Sequence, residues 1–186
     1  MGRIRYGIKN VHYAIATAGT GGALTYATPV ALPGAKSMSL APQGESFDEY
    51  ADNVNWFHDD FNNGYSGDLV FEDTAEADAF LLAVLGQTKD STTGVVTEKV
   101  SDEPKEFALL GQFELAGDTE TGKRWCFVRC KASRPTAEGQ TKEGSITVNT
   151  NAVTITALPR ISDDAVKKSC VSSDSAYSTW FSAVVA

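Results

Sequence analysis

Alternating apolar and polar positions between residues 106 and 158 predict β-strands separated by turns. One face of the first predicted strand, residues 106–115, carries Phe107, Leu109, Gly111, Phe113 and Leu115. The apolar face of the second, residues 124–132, carries Cys126, Val128, Cys130 and Ala132. The third, residues 145–158, is rich in β-branched residues, which suit a pleated surface. The pattern predicts a sheet rather than a helix bundle.

A change to helical spacing predicts one α-helix over residues 75–85. Asp73 or Thr74 would begin it, and Glu76 stands at capping-box distance from Asp73. The apolar face that packs on the sheet consists of Ala77, Phe80, Leu81 and Val84. Gly86 would end the helix. We therefore expect a mainly-β fold with one flanking helix.

The first 34 residues are predicted to form an N-terminal arm or hairpin. Residues 2–15 contain enough Ile, Val and Tyr for a short strand. The glycine-rich residues 17–22 interrupt this pattern, and residues 24–26 continue it. Residues 35–40 alternate again and predict a strand of the main sheet. The segment before them would form either a loose hairpin or an extended arm.

Residues 160–186 are predicted to form a C-terminal arm. The segment contains Trp180 and Phe181, and an aromatic pair in a terminal segment is normally docked, either on its own core or on a neighbouring molecule. Residues 1–186 are expected to form a single domain with no appended decoration.

Residues 41–67 combine a loop-like polar composition with six large aromatic residues: Phe47, Tyr50, Trp56, Phe57, Phe61 and Tyr65. A loop has no reason to carry so many unless they are covered. Two interpretations stay open at this point. The aromatic residues fold back on the sheet as a small satellite core, or part of the set faces a partner.

At 186 residues, with 42% hydrophobic residues, the chain can form one substantial core. The N-terminus lacks the apolar run of a signal peptide, and no stretch reaches the roughly 18 apolar residues of a membrane helix. Three cysteines are expected to be reduced and buried, since same-face positions four apart on one strand are too distant for a disulfide. The chain is expected to begin in a cytoplasm.

The net charge of −8 is unevenly distributed. The charged residues of positions 1–44 are all basic: Arg3, Arg5, Lys9 and Lys36. Those of positions 45–88 are all acidic: Glu45, Asp48, Glu49, Asp52, Asp59, Asp60, Asp68, Glu72, Asp73, Glu76 and Asp78. The asymmetry serves solubility alone, or it provides unlike surfaces for head-to-tail contact between identical subunits.

Residues suited to catalysis or to metal binding are scarce. No phosphate-binding loop and no dinucleotide fingerprint occur, and His12 and His58 have no Cys or His at ligand spacing. Cys126 and Cys130 lie in mid-strand on an apolar face, whereas catalytic thiols need access. We expect no enzymatic activity, no catalytic residue, no metal site and no cofactor. An acidic chain without a basic stripe is also expected not to bind nucleic acid specifically.

Several segments in order resemble the major tail protein, or tail tube protein, of bacteriophages with long non-contractile tails. They are residues 7–14 (GIKNVHYA), 33–35 (PGA), 50–53 (YADN), 64–69 (GYSGDL), 107–110 (FALL), 132–135 (ASRP) and 154–160 (TITALPR). The resemblance implies a β-sandwich or barrel-like tail-tube fold with one helix and extended terminal arms. It also implies a structural virion protein whose hexameric rings stack into the tube that conducts DNA into the host.

The partners implied by this resemblance are further copies of the chain, the tape-measure protein, assembly chaperones, and the tail terminator and tail-tip proteins. DNA would pass without specific binding, since a ring of six chains would carry about −48, and no membrane is involved. The protein would belong to the virion tail, and to the host cytoplasm during assembly. The residues expected at the self-assembly interface are Phe47, Tyr50, Trp56, Phe57, Asp59, Asp60, Phe61, Arg3, Arg5 and Lys9.

An alternative from another class is a monomeric β-sandwich binding module, which would use the same aromatic residues as a platform for a carbohydrate or protein ligand. Self-association separates the two functions, because a binding module should stay monomeric at any concentration.

Overall fold

A computed structural model describes residues 4–116, 121–137, 139, 141 and 150–185. It is mainly β, with one α-helix in the described part of the chain, α1 (Ala75–Leu85), and so confirms the predicted fold class. In chain order the strands are β1 (Ile4–Ala18), β2 (Leu24–Tyr26), β3 (Val30–Ala31), β4 (Ala35–Gln43), β5 (Ser46–Ala51), β6 (Val54–Asp60), β7 (Gly64–Phe71), β8 (Thr88–Lys89), β9 (Val96–Thr97), β10 (Phe107–Ala116), β11 (Gly122–Ala132), β12 (Asn151–Ala157) and β13 (Lys167–Val171).

One antiparallel sheet organises most of these strands in the order β2-β1-β10-β11-β12-β7-β4. Strand β3 adds to β1, and β13 adds to β11. The sheet curls, because β4 approaches β1 from the far end of the strand order. Two short hairpins, β5–β6 and β8–β9, stand apart from the sheet.

The inner face of the curled sheet encloses the larger hydrophobic core, and α1 packs into it. Phe80 of α1 is fully buried, and its ring meets Tyr13 (4.9 Å between centroids), Phe107 (5.7 Å) and Phe71 (5.8 Å). The helix has the predicted bounds: the Thr74 side chain accepts a hydrogen bond from the Ala77 N–H. Its C-cap is Gly86, whose positive φ of 74° favours glycine.

The outer face of the sheet has a second, smaller core that the C-terminal segment covers. Cys170 and Trp180 are buried against apolar residues of the central strands: Ala14, Ala108, Leu110, Cys126 and Val128. The Trp180 indole N–H donates to the Trp125 carbonyl oxygen at 3.3 Å, and Phe181 stacks on His12 with centroids 4.4 Å apart. The predicted C-terminal arm therefore docks on its own sheet, because burying these rings there removes apolar surface from water.

The predicted N-terminal arm is likewise part of the sheet. Strand β1 pairs with β10 over most of its length, from Ile4 opposite Ala116 to Ile15 opposite Phe107. Strand β2 folds back on the end of β1, so the predicted hairpin is present but does not project as an arm. The turn predicted between strands 106–115 and 124–132 includes residues 117–120, which lie outside the described residues. The first part of the predicted strand 145–158 falls within residues 142–149, which also lie outside them.

The prediction that Cys126 and Cys130 share one face of a strand is wrong. Phe107 pairs with Cys130 while Leu109 pairs with Phe127, so β11 contains one residue more than β10 over this interval. Such a bulge reverses the alternation of side chains. Cys126 accordingly lies in the outer core and Cys130 in the inner core, and all three cysteines are free and buried, as predicted.

Candidate self-assembly surface

The segment predicted as an aromatic-acidic loop, residues 41–67, is mostly β-structure, so its prediction as a loop is wrong. Strands β5 and β6 form a hairpin, here called the aromatic hairpin (residues 46–60). Asp52 and Asn53 make its two-residue turn with φ of 51° and 62°. Positive φ at both central residues is the geometry of a type I′ turn, which Asp and Asn tolerate and which matches the twist of paired strands.

The aromatic hairpin projects from the molecule, and every residue of both its strands is exposed. Together with Phe61 just after it, five large aromatic side chains are between 50% and 75% exposed: Phe47, Tyr50, Trp56, Phe57 and Phe61. The interpretation that the aromatic residues of this segment fold back as a satellite core is therefore wrong for these five. Tyr65 alone among the six packs inward, with its ring 5.3 Å from Phe127.

One face of the aromatic hairpin alternates rings with carboxylates. Phe47 pairs with Asp59 and Glu49 pairs with Phe57, so the two phenylalanines lie on one diagonal and the two acids on the other. The phenylalanine rings are 6.3 Å apart. Trp56 has no partner residue, because the register shifts by one between Glu49 and Tyr50. This face, defined by Phe47, Glu49, Phe57 and Asp59, is called the mixed face below.

The opposite face of the aromatic hairpin carries a hydrogen-bonded group around His58. Its Nδ1 lies 2.7 Å from Oδ1 of Asp48, and its Nε2 lies 3.5 Å from Oδ1 of Asp60. Asn55 donates to the same Asp48 oxygen at 2.7 Å. The hydrogen bond that the His58 ring donates to Asp48 and the negative charges of both acids raise the pKa of His58 above its usual 6.5, and the pKa of Asp48 is lowered by His58 and Asn55.

We expect the pKa of His58, measured by NMR titration of its ring protons, to lie above 6.5, and the Asp48→Asn variant to bring it back towards that value. A raised folded-state pKa means that the folded chain holds this proton more tightly, so the group stabilises the hairpin below pH 6.5. That contribution is lost as the pH rises through the raised value. A His58 pKa at or below 6.5 would contradict the observed geometry.

Of the three basic residues predicted at the interface, the structure describes two, and these make different contacts. Arg3 lies outside the described residues. Lys9 pairs with Glu114 across β1 and β10, so its charge is already matched within the chain. The Arg5 guanidinium lies over the Phe113 ring, 4.7 Å from its centroid. The structure thus leaves Arg5 as the predicted cation with no acidic partner in the described part of the chain.

Two lysines that no sequence pattern indicates, Lys123 and Lys167, lie near Arg5. The Lys167 ammonium lies 5.1 Å from the Phe127 ring centroid and 5.6 Å from that of Tyr65. Burial lowers the pKa of Lys167, and the positive charges of Lys123 and Arg5 lower it further. These three residues, Arg5, Lys123 and Lys167, are called the cationic patch. They come from three strands, and no local sequence pattern joins them.

Two cysteines of β11 are buried among apolar residues. Burial raises the pKa of the Cys126 thiol to about 12 and that of Cys130 well above its usual value, so neither provides a thiolate at neutral pH. No group of three or more Cys, His, Asp or Glu residues within the described ranges could hold a metal ion. Nor does any described helix have the length and apolar character needed to cross a membrane.

In comparisons with known proteins, the chain matches no family model and no curated protein. Two surfaces of the molecule bear on its function: the aromatic hairpin, which is acidic, and the cationic patch, which borders the inner core.

Proposed function

We propose that this protein is a structural subunit that self-assembles through its aromatic hairpin, and that its assembly is the stacked hexameric tube of a phage tail. The observation that carries the proposal is the exposure of five large aromatic side chains on and beside one projecting hairpin. Several exposed large aromatic side chains on one hairpin are typical of protein contact sites, in which aromatic residues are enriched.

The energetics favour a covered hairpin. A large aromatic side chain buries about 150–250 Å², so covering the exposed half of each ring is worth on the order of 2 kcal/mol before the cost of ordering. An isolated two-stranded hairpin is at best marginally stable in water. A neighbouring molecule that covers the aromatic hairpin would supply both the burial and the support that its own sheet does not provide.

The distribution of charge supports association between identical chains. The aromatic hairpin is acidic and the cationic patch is basic, so one chain carries two unlike, complementary surfaces. Unlike surfaces give head-to-tail contacts, which close into rings when the rotation between subunits allows it. With −8 per chain, such rings would repel DNA rather than retain it. The tape-measure, terminator and tail-tip proteins are then the expected partners, in the virion tail and in the host cytoplasm during assembly.

A second candidate function is a monomeric binding module, which one local feature favours. At the base of the aromatic hairpin lies an open depression of about 380 Å³. Phe61 and Tyr65 line it together with the amides of Gln43 and Asn62. Rings beside amide groups suit a carbohydrate, which stacks one face on an aromatic side chain and forms hydrogen bonds at its rim.

Negative-stain electron microscopy across a concentration series, with light scattering on the same samples, tests the proposal. We expect particle size to increase with concentration and rings or hollow tubes to appear. A protein that stays monomeric at every concentration, and also after addition of a tape-measure protein, would contradict the tail-tube function. Binding of a sugar by such a monomer, weakened by Phe61→Ala, would favour the second candidate.

A further inference from the structure

Three cations lie close together on the inner face of the sheet without acidic partners. Arg5, Lys123 and Lys167 form no ion pair with any described carboxylate, whereas other basic residues do, such as Lys36 with Glu72 and Arg129 with Glu106. Burial lowers the pKa of Lys167, and the nearby positive charges of Lys123 and Arg5 lower it further, since like charges repel each other. A patch of this kind is stabilised when an acidic group approaches it.

The same patch offers aromatic surface between its charges. Arg5 covers the Phe113 ring, and Lys167 covers Phe127 and Tyr65. Phe113 and Tyr65 are only partly buried, at the margin of the inner core. A ligand for this surface should therefore bring both carboxylates and apolar rings, since carboxylates alone would leave the exposed ring edges in contact with water.

The mixed face of the aromatic hairpin has this composition. It places two carboxylates, Glu49 and Asp59, beside two rings, Phe47 and Phe57, within one paired segment. Neither carboxylate has a cation partner among the described residues. Both strands of the hairpin are fully exposed, so its own chain leaves this face available.

We propose that the cationic patch is the docking site for the mixed face of the aromatic hairpin of a second copy of this chain. The inference rests on the proposed self-assembly and adds the receiving surface to it. Glu49 and Asp59 meet Arg5, Lys123 and Lys167, while the two phenylalanine rings cover the margin of the inner core. Because donor and receiver are different surfaces, each copy gives its hairpin to one neighbour and receives a hairpin from another.

A polyanion such as DNA is a weaker candidate for this patch. Three cations do not form the extended basic stripe of a nucleic-acid site, and the chain as a whole is acidic. Phosphates would also leave the rings of Phe113 and Tyr65 without an apolar partner. The chemistry of the patch is matched better by acids interleaved with aromatic side chains.

Complementary charge reversal tests this contact in the full-length chain. Lys123→Glu/Lys167→Glu turns the patch acidic, and Glu49→Lys/Asp59→Lys turns the mixed face basic. Each variant alone would then present two surfaces of the same sign, and we expect its self-association constant, from sedimentation equilibrium, to fall at least tenfold. Mixed at equal concentrations, the two variants have opposite charges at both contacts, so association should return to within about threefold of the original protein.

The control is Lys89→Glu/Lys99→Glu, which makes the same change in net charge at two exposed lysines outside the patch. We expect it to associate much like the original protein, and circular dichroism checks that each variant folds. Recovery in the mixture would itself show that both variants are folded.

The possible failures can be told apart. If the original protein self-associates and neither charge reversal weakens that association, the docking site is overturned and the proposed function stands. The same holds if a reversal weakens self-association and mixing the two variants does not restore it. An original protein that never self-associates would overturn both. If Lys123→Glu/Lys167→Glu abolishes binding of a short DNA duplex and leaves self-association unchanged, the patch is a polyanion site instead.

Discussion

Replacing Trp56 and Phe57 with alanine should abolish self-association while the monomer stays folded. Trp56 is 75% exposed and Phe57 is 51% exposed, so neither ring contributes much to the core of its own chain. In an interface, by contrast, a few aromatic residues carry most of the binding free energy. We expect the association constant from sedimentation equilibrium to fall on the order of 100-fold or more.

The matched control for this experiment removes exposed apolar side chains elsewhere. Val95→Ala/Val100→Ala changes two exposed valines in the segment between α1 and β10, and self-association should be nearly unchanged. The Trp56→Ala/Phe57→Ala monomer should keep the circular dichroism spectrum and melting temperature of the original. An unfolded variant would show instead that the rings support the core, and unimpaired association would exclude the hairpin as the main contact.

Replacing Trp180 with alanine should lower the free energy of unfolding by about 3–5 kcal/mol, the usual cost of removing a buried tryptophan. The side chain is 3% exposed in the outer core, and its indole N–H donates to the Trp125 carbonyl oxygen. Its loss leaves a cavity between the C-terminal segment and the sheet. Chemical denaturation followed by far-ultraviolet circular dichroism measures the change.

Trp56→Ala is the matched control, since it removes the same side chain from an exposed site. It should change the free energy of unfolding by less than about 0.5 kcal/mol. The pair also tests where the C-terminal segment belongs. Equal, small effects of both substitutions would mean that Trp180 is not docked on its own sheet in solution, and that this segment reaches a neighbour as the sequence alone allowed.

The helix and the central strand β10 could be predicted from the sequence because their patterns are local. Residues 75–85 have helical spacing between a capping Thr74 and a terminating Gly86, and α1 has these bounds. The two faces of residues 106–115, read at a period of two, likewise predict β10, with Phe107 and Leu109 on the inner face and Ala108 and Leu110 on the outer face. Here local propensity and tertiary packing favour the same structure.

The aromatic hairpin was missed because its acidic residues resemble loop composition. The signal that could have found it is the Asp52-Asn53 pair between two segments with bulky residues, which suits a tight hairpin turn. The bulge in β11 has no comparable signal in the sequence. One extra residue moves the Cys130 side chain to the other face of the sheet, and the amino-acid composition of the strand does not reveal it. The face switch follows from the pairing of two strands rather than from either strand alone.

Of the two surfaces of the proposed contact, one is local in the sequence and the other is not. The aromatic residues and acids of the hairpin lie within one short segment, so the sequence alone identifies that surface. Arg5, Lys123 and Lys167 are brought together only when β1 and β13 take their places around the central strands. Their common function could not be predicted before the topology was known.

The pairing of β1 with β10 has a consequence for the newly made chain. Ile4 and Ala116 are more than 100 residues apart, so the central sheet cannot form until most of the chain has left the ribosome. The aromatic hairpin needs only its own short segment, so its strands can pair transiently before the sheet forms. Its aromatic rings are therefore exposed, paired or unpaired, before the rest of the subunit folds. Glu49 and Asp59 beside these rings carry like charges, which oppose premature contact between the hairpins of two incompletely folded chains.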